Sequence, residues 1–314
     1  MFVREALNAG GTITPLLIPS QDLVGPSIAN PSIYNDKGKL YLNLRNLNYI
    51  LWHSEKGKHT HKWGPLVYLH REDDVRLATD NFLCTLKPNL MVDEYQKVDM
   101  KLDKAPLWEF VGLEDARIVK WDGKVYLCGV RRDTTTNGQG RMELSEIENG
   151  VEISRSRIPA LNDMSYCEKN WMPILDKPYH FMAWSSPVTV VRYDVAKKET
   201  FVVHQGKEEN VNYRGGSQLV PWKTGYIAVV HETNFWRDET GKKNAIYTHR
   251  FLFWDKDWNL IKKSPSFNFM GANIEFACGM CKHENNFLVT FGFQDNAAFL
   301  LKVPQSYMES FLNE

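Results

Sequence analysis

Cysteine is scarce. Five cysteines among 314 residues, an odd number at irregular spacings, do not make a disulfide framework and suit a reducing compartment. Excess charge is missing as well: Lys plus Arg and Asp plus Glu each total 38, a formal net charge of zero. No long basic run exists that would hold a phosphate backbone, which argues against nucleic acid as a partner. No stretch approaches the roughly 18 continuous apolar residues of a membrane span, and the opening MFVREALNAGGTITPLLIPS lacks the apolar core of a signal peptide. These absences predict a soluble, unsecreted, cytoplasmic protein without a membrane partner. Long apolar stripes of period 3.6 are also lacking, so a helix bundle is excluded.

Metal and nucleotide signals are equally thin. Cys278 and Cys281 form one C-x-x-C, but a zinc site needs four ligands and no second pair exists. His53, His59 and His61 crowd the segment HSEKGKHTHKWG without a paired carboxylate spacing, and read as solvated loop histidines. No glycine fingerprint of a dinucleotide fold is visible. No metal and no cofactor is expected.

What the chain does contain is β structure. Aromatic residues make up 12%, with 20 Gly and 14 Pro, and a unit recurs: a polar opening, a short apolar run, a turn, and a second apolar run rich in Tyr, Val and Phe. The units are NPSIYNDKGKLYLNLR from Asn30, GLEDARIVKWDGKVYLCGVR from Gly112, EKNWMPILDKPYHFMAWS from Glu168, RGGSQLVPWKTGYIAVVHET from Arg214 and IEFACGMCKHENNFLVTFGFQDNAAFLLKV from Ile274. The turn signals NDKG, WDGK, LDKP, WKTG and KHENN each separate two alternating strands, as a hairpin demands. Five such units predict an all-β, five-bladed β-propeller, a single domain over residues 1–314 with an insertion or long loop region around 53–108. A β-sandwich is the alternative, since periodicity alone does not distinguish radial from layered packing. In a propeller the first strand of each blade lines the central channel, so the five polar openings would converge.

At GLEDARIVKWDGKVYL the chain resembles the G-x-E-D-P-R-I strand of five-bladed glycoside enzymes, above all glycoside hydrolase family 130, the mannoside phosphorylases and β-mannosidases, with Ala116 in place of the usual Pro. NPSI with Arg45 resembles the family's first-blade opening. Lys169 of EKNW sits where the family has a blade-three lysine, His231 where it has a strand-end histidine, and Asp295 where its last blade carries Gly-x-x-Asp. The spellings EKNW and RGGSQ look nearer to mannosyltransferase-like branches. The resemblance implies a carbohydrate substrate, with phosphate or a sugar phosphate as co-substrate. It also implies an inverting transfer of a glycosyl group, β-mannosyl by the family's habit. It makes Asp115 the catalytic acid, serving the glycosidic oxygen through a sugar hydroxyl, and Arg45, Arg131, Lys169 and His231 the residues holding phosphate or beside it, Arg132 replacing Arg131 if the match shifts by one.

The remaining substrate-binding candidates are Asn30, Glu114, Arg117, Trp171, Arg214, Glu275 and Asp295. Adjacent strand residues face opposite sides, so Glu114 and Asp115 can both enter the channel only across a bulge. Arg117 returns to the Asp115 side and could pair with it. Trp171 follows Lys169 and is the best candidate for stacking on a sugar ring, whereas the other tryptophans read as packing between blades. Each charge also has a plain reading: E-D-x-R as a cross-blade ion pair, His231 as a core histidine, Gly215 and Gly216 as a strand bulge. A nucleotide-sugar glycosyltransferase, a β-mannosidase-like hydrolase and a noncatalytic glycan-binding propeller are the alternative functions. Region 53–108 and NFWRDETGKKN are expected to form rims or contacts within a homo-oligomer.

Overall fold

The computed structural model describes residues 1–314 except 56, 58, 60, 208–210 and 314. Five small antiparallel sheets are built in sequence order. Blade 1 takes Ser27–Asp36, Lys39–Leu47, Leu77–Leu86 and Val92–Lys97; blade 2 takes Glu114–Trp121, Lys124–Arg131, Arg141–Glu148 and Val151–Arg157. Blade 3 runs Met172–Pro173, His180–Ser185, Val188–Asp194 and Glu199–Gln205; blade 4 runs Val220–Trp222, Gly225–Arg237, Lys243–Asp255 and Leu260–Lys263. Blade 5 has Glu275–His283, Asn286–Phe293 and Ala297–Pro304, and its outermost strand is Thr12–Pro15 from the other end of the chain. The ring is thereby closed by pairing the first strand with the last. Each repeated sequence unit supplies the two inner strands of one blade, and the D-G and N-G turns at Asp122-Gly123 and Asn149-Gly150 hold both residues at positive φ, the two-residue hairpin geometry that matches strand twist.

Packing is radial. Separate apolar cores fill the interfaces between neighbouring blades: Leu113, Ile118 and Leu127 with Leu83 between blades 1 and 2, Trp121, Trp171 and Phe181 between 2 and 3, Ile174, Met182, Ala228 and Trp254 between 3 and 4. Phe251, Phe269, Phe287 and Phe291 join 4 and 5, and Leu42, Leu44, Leu288 and Leu300 join 5 and 1. At the axis the inner strands approach closely. Gln218 is fully buried there, donating to the carbonyls of Ile33 and Ile118 at 3.0 and 2.8 Å and accepting from the Met280 amide at 3.0 Å. One side chain thus ties four blades and plugs the channel.

Three expectations need correction. Region 53–108 is mostly not an insertion, because the two outer strands of blade 1 lie within it; the true excursion is the hairpin Ile50–His53 and Leu66–Leu69. Polar residues on the solvent side of those outer strands masked them. His53 is buried, bonded through Nε2 to Asn244 Oδ1 at 2.8 Å. Gly215 and Gly216 serve blade packing: an added Cβ would meet Asn170 O at 1.8 Å and Val229 O at 2.3 Å. No helix of the described residues is long and apolar enough to cross a membrane, and among them no cluster of His, Cys, Asp and Glu could hold a metal ion.

Candidate active site

Where the inner strands begin, bulges interrupt the ladders. In blade 1 pairing slips between Ala29 and Ser32, and in blade 2 residues 115 and 116 stand opposite the single residue Gly129. Asp115 has φ 49°, Asn30 φ 43°, Asn170 φ 61° and Asp295 φ 51°. Four side chains from four blades thus sit in the left-handed region, which Asn and Asp tolerate best after glycine. The blade 2 bulge lets Glu114 and Asp115 face the same side. All four residues line one pocket at this end of the ring.

The bulges surround a blind pocket of about 130 Å³. Its floor is an acidic cluster around one guanidinium. Arg45, almost fully buried, donates to Asp115 Oδ1 at 2.8 Å, lies 3.7 Å from Glu114 Oε2, and also bonds Tyr49 and Thr79. Asn30 Nδ2 donates to both Asp115 Oδ1 at 2.8 Å and Asp295 Oδ1 at 3.1 Å. Burial pushes each carboxyl up, but Arg45, the Asn30 hydrogen bond, Arg117 and Lys169 together hold Asp115 below the usual aspartate value. For Asp295 and Glu114 burial wins and both are raised, each further by the neighbouring Asp115 charge.

The mouth is basic. Lys169, Arg214 and Lys243 line it, and among the described residues none has a carboxylate within ion-pair distance. Burial together with Lys169 and Arg214 lowers Lys243 below an ordinary lysine; like charges held together without counter-ions are what an anion site requires. Phe235 carries both Arg214 and Lys243 on its ring, at 5.6 and 4.5 Å. His231 lies between floor and mouth. Its Nδ1 is 2.9 Å from the Gly215 carbonyl, which can only accept, so Nδ1 carries the proton and Nε2 is an acceptor. Burial, His249, Lys169 and Arg214 drive its pKa well below the usual value. The imidazole is neutral.

The pocket therefore brings together Asn30, Arg45, Glu114, Asp115, Lys169, Arg214, His231 and Asp295. Four other candidates lie elsewhere. Arg131 is buried in an ion cluster with Asp103, Asp133 and Glu143, at 2.9, 3.4 and 3.0 Å; strand alternation turns it away from the axis. Its neighbour Arg132 packs on Phe110, a pocket-lining ring, at 4.7 Å. Trp171 is a core residue whose Nε1 bonds Glu168 at 3.2 Å, so it has no free face for a sugar. Glu275 is fully buried and accepts from the amides of Phe269, Met270 and Ala272, shaping a loop. Arg117 lies beneath the pocket, donating to the carbonyls of Gly216 and Asp115 rather than to the Asp115 carboxylate. Sequence reasoning missed Lys243, Phe235 and the lining tyrosines Tyr49, Tyr68 and Tyr247. The available signal was that strand-favouring residues, Thr233, Phe235 and Trp236, continue past His231. The two 13-residue strands of blade 4 extend beyond the blade and carry Phe235, Lys243 and Tyr247 over the pocket.

No family model and no curated protein matches this sequence. Among solved structures, the chain is similar to a β-1,2-mannobiose phosphorylase from Listeria innocua bound to β-1,2-mannobiose. That match has 12% identity and a TM-score of 0.54, covering 96% of each chain. It is also similar to a mannose phosphorylase from Leishmania mexicana in complex with phosphate, at 11% identity and a TM-score of 0.54 over 98% of this chain and 93% of that one. A third is a structure from the glycoside hydrolase family 130 of mannoside phosphorylases, a family containing hydrolases of β-1,2-mannosidic linkages in Candida mannan. There the identity is 11% and the TM-score 0.54, over 90% and 85% of the chains. At these identities the likeness is one of fold.

Proposed function

We propose that this protein is an inverting glycoside phosphorylase that moves a β-mannosyl group between a glycoside and phosphate, running in either direction. The observation that carries the reading is a pocket with three uncompensated cations at its mouth, above a carboxylate cluster on its floor. Phosphate is a nucleophile that arrives already anionic, so the protein must supply cations to hold it and one acid–base group for the glycosidic oxygen. Lys169, Arg214 and Lys243 would hold the anion, and the neutral His231 would accept from a hydroxyl of phosphate or sugar through Nε2. Asp115 faces the glycosidic oxygen.

Hydrolysis by a pair of carboxylates fits less well. The carboxylates of Asp115 and Asp295 share one amide nitrogen, which places them within about 6 Å of each other with Asn30 filling the gap, closer than the roughly 6.5–9.5 Å an inverting pair needs to admit its water. A nucleotide sugar is also disfavoured, since no glycine fingerprint marks a site for its diphosphate. The four buried cysteines among five free ones fit a reducing, cytoplasmic setting.

The test is to incubate purified protein with β-mannosyl oligosaccharides and orthophosphate and follow phosphorus by NMR. α-Mannose 1-phosphate is expected, and the reverse reaction should extend an acceptor from it. Absence of both products refutes the reading.

A further inference from the structure

We infer that Asp115 and Asp295 act as one pair holding a single proton across Asn30, that Asp295 is the member carrying it, and that this is the proton the leaving oxygen receives. The chemistry rests on the phosphorolysis proposed above; the proton count rests on the geometry. Three carboxylates, Glu114, Asp115 and Asp295, face one buried guanidinium, and Arg45 spends its short contact on Asp115. Asp295 has no cation within 4 Å among the described residues, and its one bond from this cluster is the second hydrogen of the same Asn30 amide. Asn30 is held in this orientation because turning over would set its Oδ1 against both carboxylates in place of the Nδ2 that donates to them.

Two anions that close, both half-buried on the pocket floor, do not readily ionise together unless each has a cation. The other groups facing Asp295 are Tyr49, Tyr68, Tyr247 and the more distant Lys169. The tyrosines are neutral; Arg45, the Asn30 hydrogen bond and the exposed Lys169 each favour the charged form of Asp295, but burial and the Asp115 charge outweigh them. The opposite displacements of the two pKa values, Asp115 down and Asp295 up, agree with a coupled pair divided into base and acid. In the phosphorolytic direction a phosphate oxygen bonds to C1 while the glycosidic bond breaks with its electron pair going to the leaving oxygen. The pair gives that oxygen its proton. The new sugar phosphate, formed from hydrogen phosphate, returns its remaining proton to the pair, and the cycle closes without net proton uptake.

The test is carbon NMR of the full chain with the aspartate side-chain carboxyls labelled, titrated without substrate, so that its outcome is independent of activity. One aspartate is expected to titrate above the ordinary range in the wild-type protein. That signal should vanish in Asp295→Asn and move back toward an ordinary midpoint in Asp115→Asn. The inference is overturned if no wild-type aspartate titrates high, a result that needs no variant to fold, or if the high signal persists in Asp295→Asn. The wild-type phosphorolysis rate should fall as pH rises through the same midpoint; a rate indifferent to it also overturns the role. A high Asp295 midpoint in a protein without phosphorolysis would instead sink the reaction and leave the pair standing.

Discussion

At the scale of single residues the mouth cations make the sharpest claim. Each charge-assisted hydrogen bond is worth about 1.5–3 kcal/mol, and the exposure of Lys169 puts it at the low end, so Lys169→Met should weaken orthophosphate binding about tenfold by calorimetry. Lys243 adds a pH signature. Its pKa is lowered by burial, Lys169 and Arg214, so phosphate affinity in the wild-type protein should drop on the alkaline side earlier than an ordinary lysine would dictate. Lys243→Met should bind weakly without that step; a wild-type affinity flat up to the ordinary lysine range would refute the assignment. His249 titrates in the other direction. Burial holds it at about 3, while in the unfolded chain it takes a proton near 6.5. Between those values the unfolded state binds a proton that the folded state refuses, so stability declines as pH falls, by about 1.4 kcal/mol per pH unit. Carboxyls with raised values, such as Asp295 and Glu143, work oppositely, their stabilisation being lost as pH rises. They are common to both proteins in a comparison with His249→Phe, which suits the neighbouring rings of Phe267 and Phe269. Urea unfolding from pH 6.5 to 5 should show a shallower decline in the variant.

At the scale of elements, the bulge in Glu114–Trp121 decides whether the two acids can share a pocket. Gly129 stands opposite it, and an added Cβ would meet Glu114 O at 2.5 Å and Ala116 Cα at 3.1 Å. Gly129→Ala should therefore flatten or displace the bulge, costing about 1–3 kcal/mol as overpacking does and swinging Asp115 off Arg45. Loss of activity beyond the loss of folded protein is the expected result; wild-type turnover in a folded variant would show that the bulge does not set the site. The same element shows what sequence could convey. Alternation and turn residues made the hairpins legible, and the E-D-x-R string raised the bulge as a condition, yet no residue in the string announced that Asp115 adopts φ 49°. Arg131 was misplaced because a charged strand-end residue looks the same whether it faces the axis or a neighbouring blade, and only register separates the two. Lys243 was passed over because a turn rich in Lys, Asp and Gly reads as solvent-exposed until the strands beneath it are known to reach over the pocket.

At the scale of the whole molecule, five openings far apart in the chain meet only because the ring closes, and closure depends on the strand nearest the start. The Thr12–Pro15 strand pairs with Ala297–Pro304 in a register from Thr12 opposite Lys302 to Pro15 opposite Phe299. Ahead of it the short helix Phe2–Asn8 anchors Phe2 among Phe251, Phe267 and Phe311, with ring centroids at 5.3, 4.4 and 4.9 Å. None of this was legible, since a four-residue strand following a helical turn carries no periodicity long enough to read. The energetic consequence is large for so short a segment. Phe2→Ala should cost about 3–5 kcal/mol, the usual loss for a buried aromatic ring. Deleting residues 1–15 should do more, because it also leaves Ala297–Pro304 as an open edge inviting intermolecular pairing. Blades 5 and 1 would then separate most easily, and with them Asp295 from Asn30 and Arg45. The deletion variant should lose its single unfolding transition, associate in solution and bind phosphate less tightly than Phe2→Ala, which keeps the strand. A monomer with wild-type unfolding and phosphate affinity would mean that the inter-blade cores alone hold the ring, and that the closing strand is dispensable to the site.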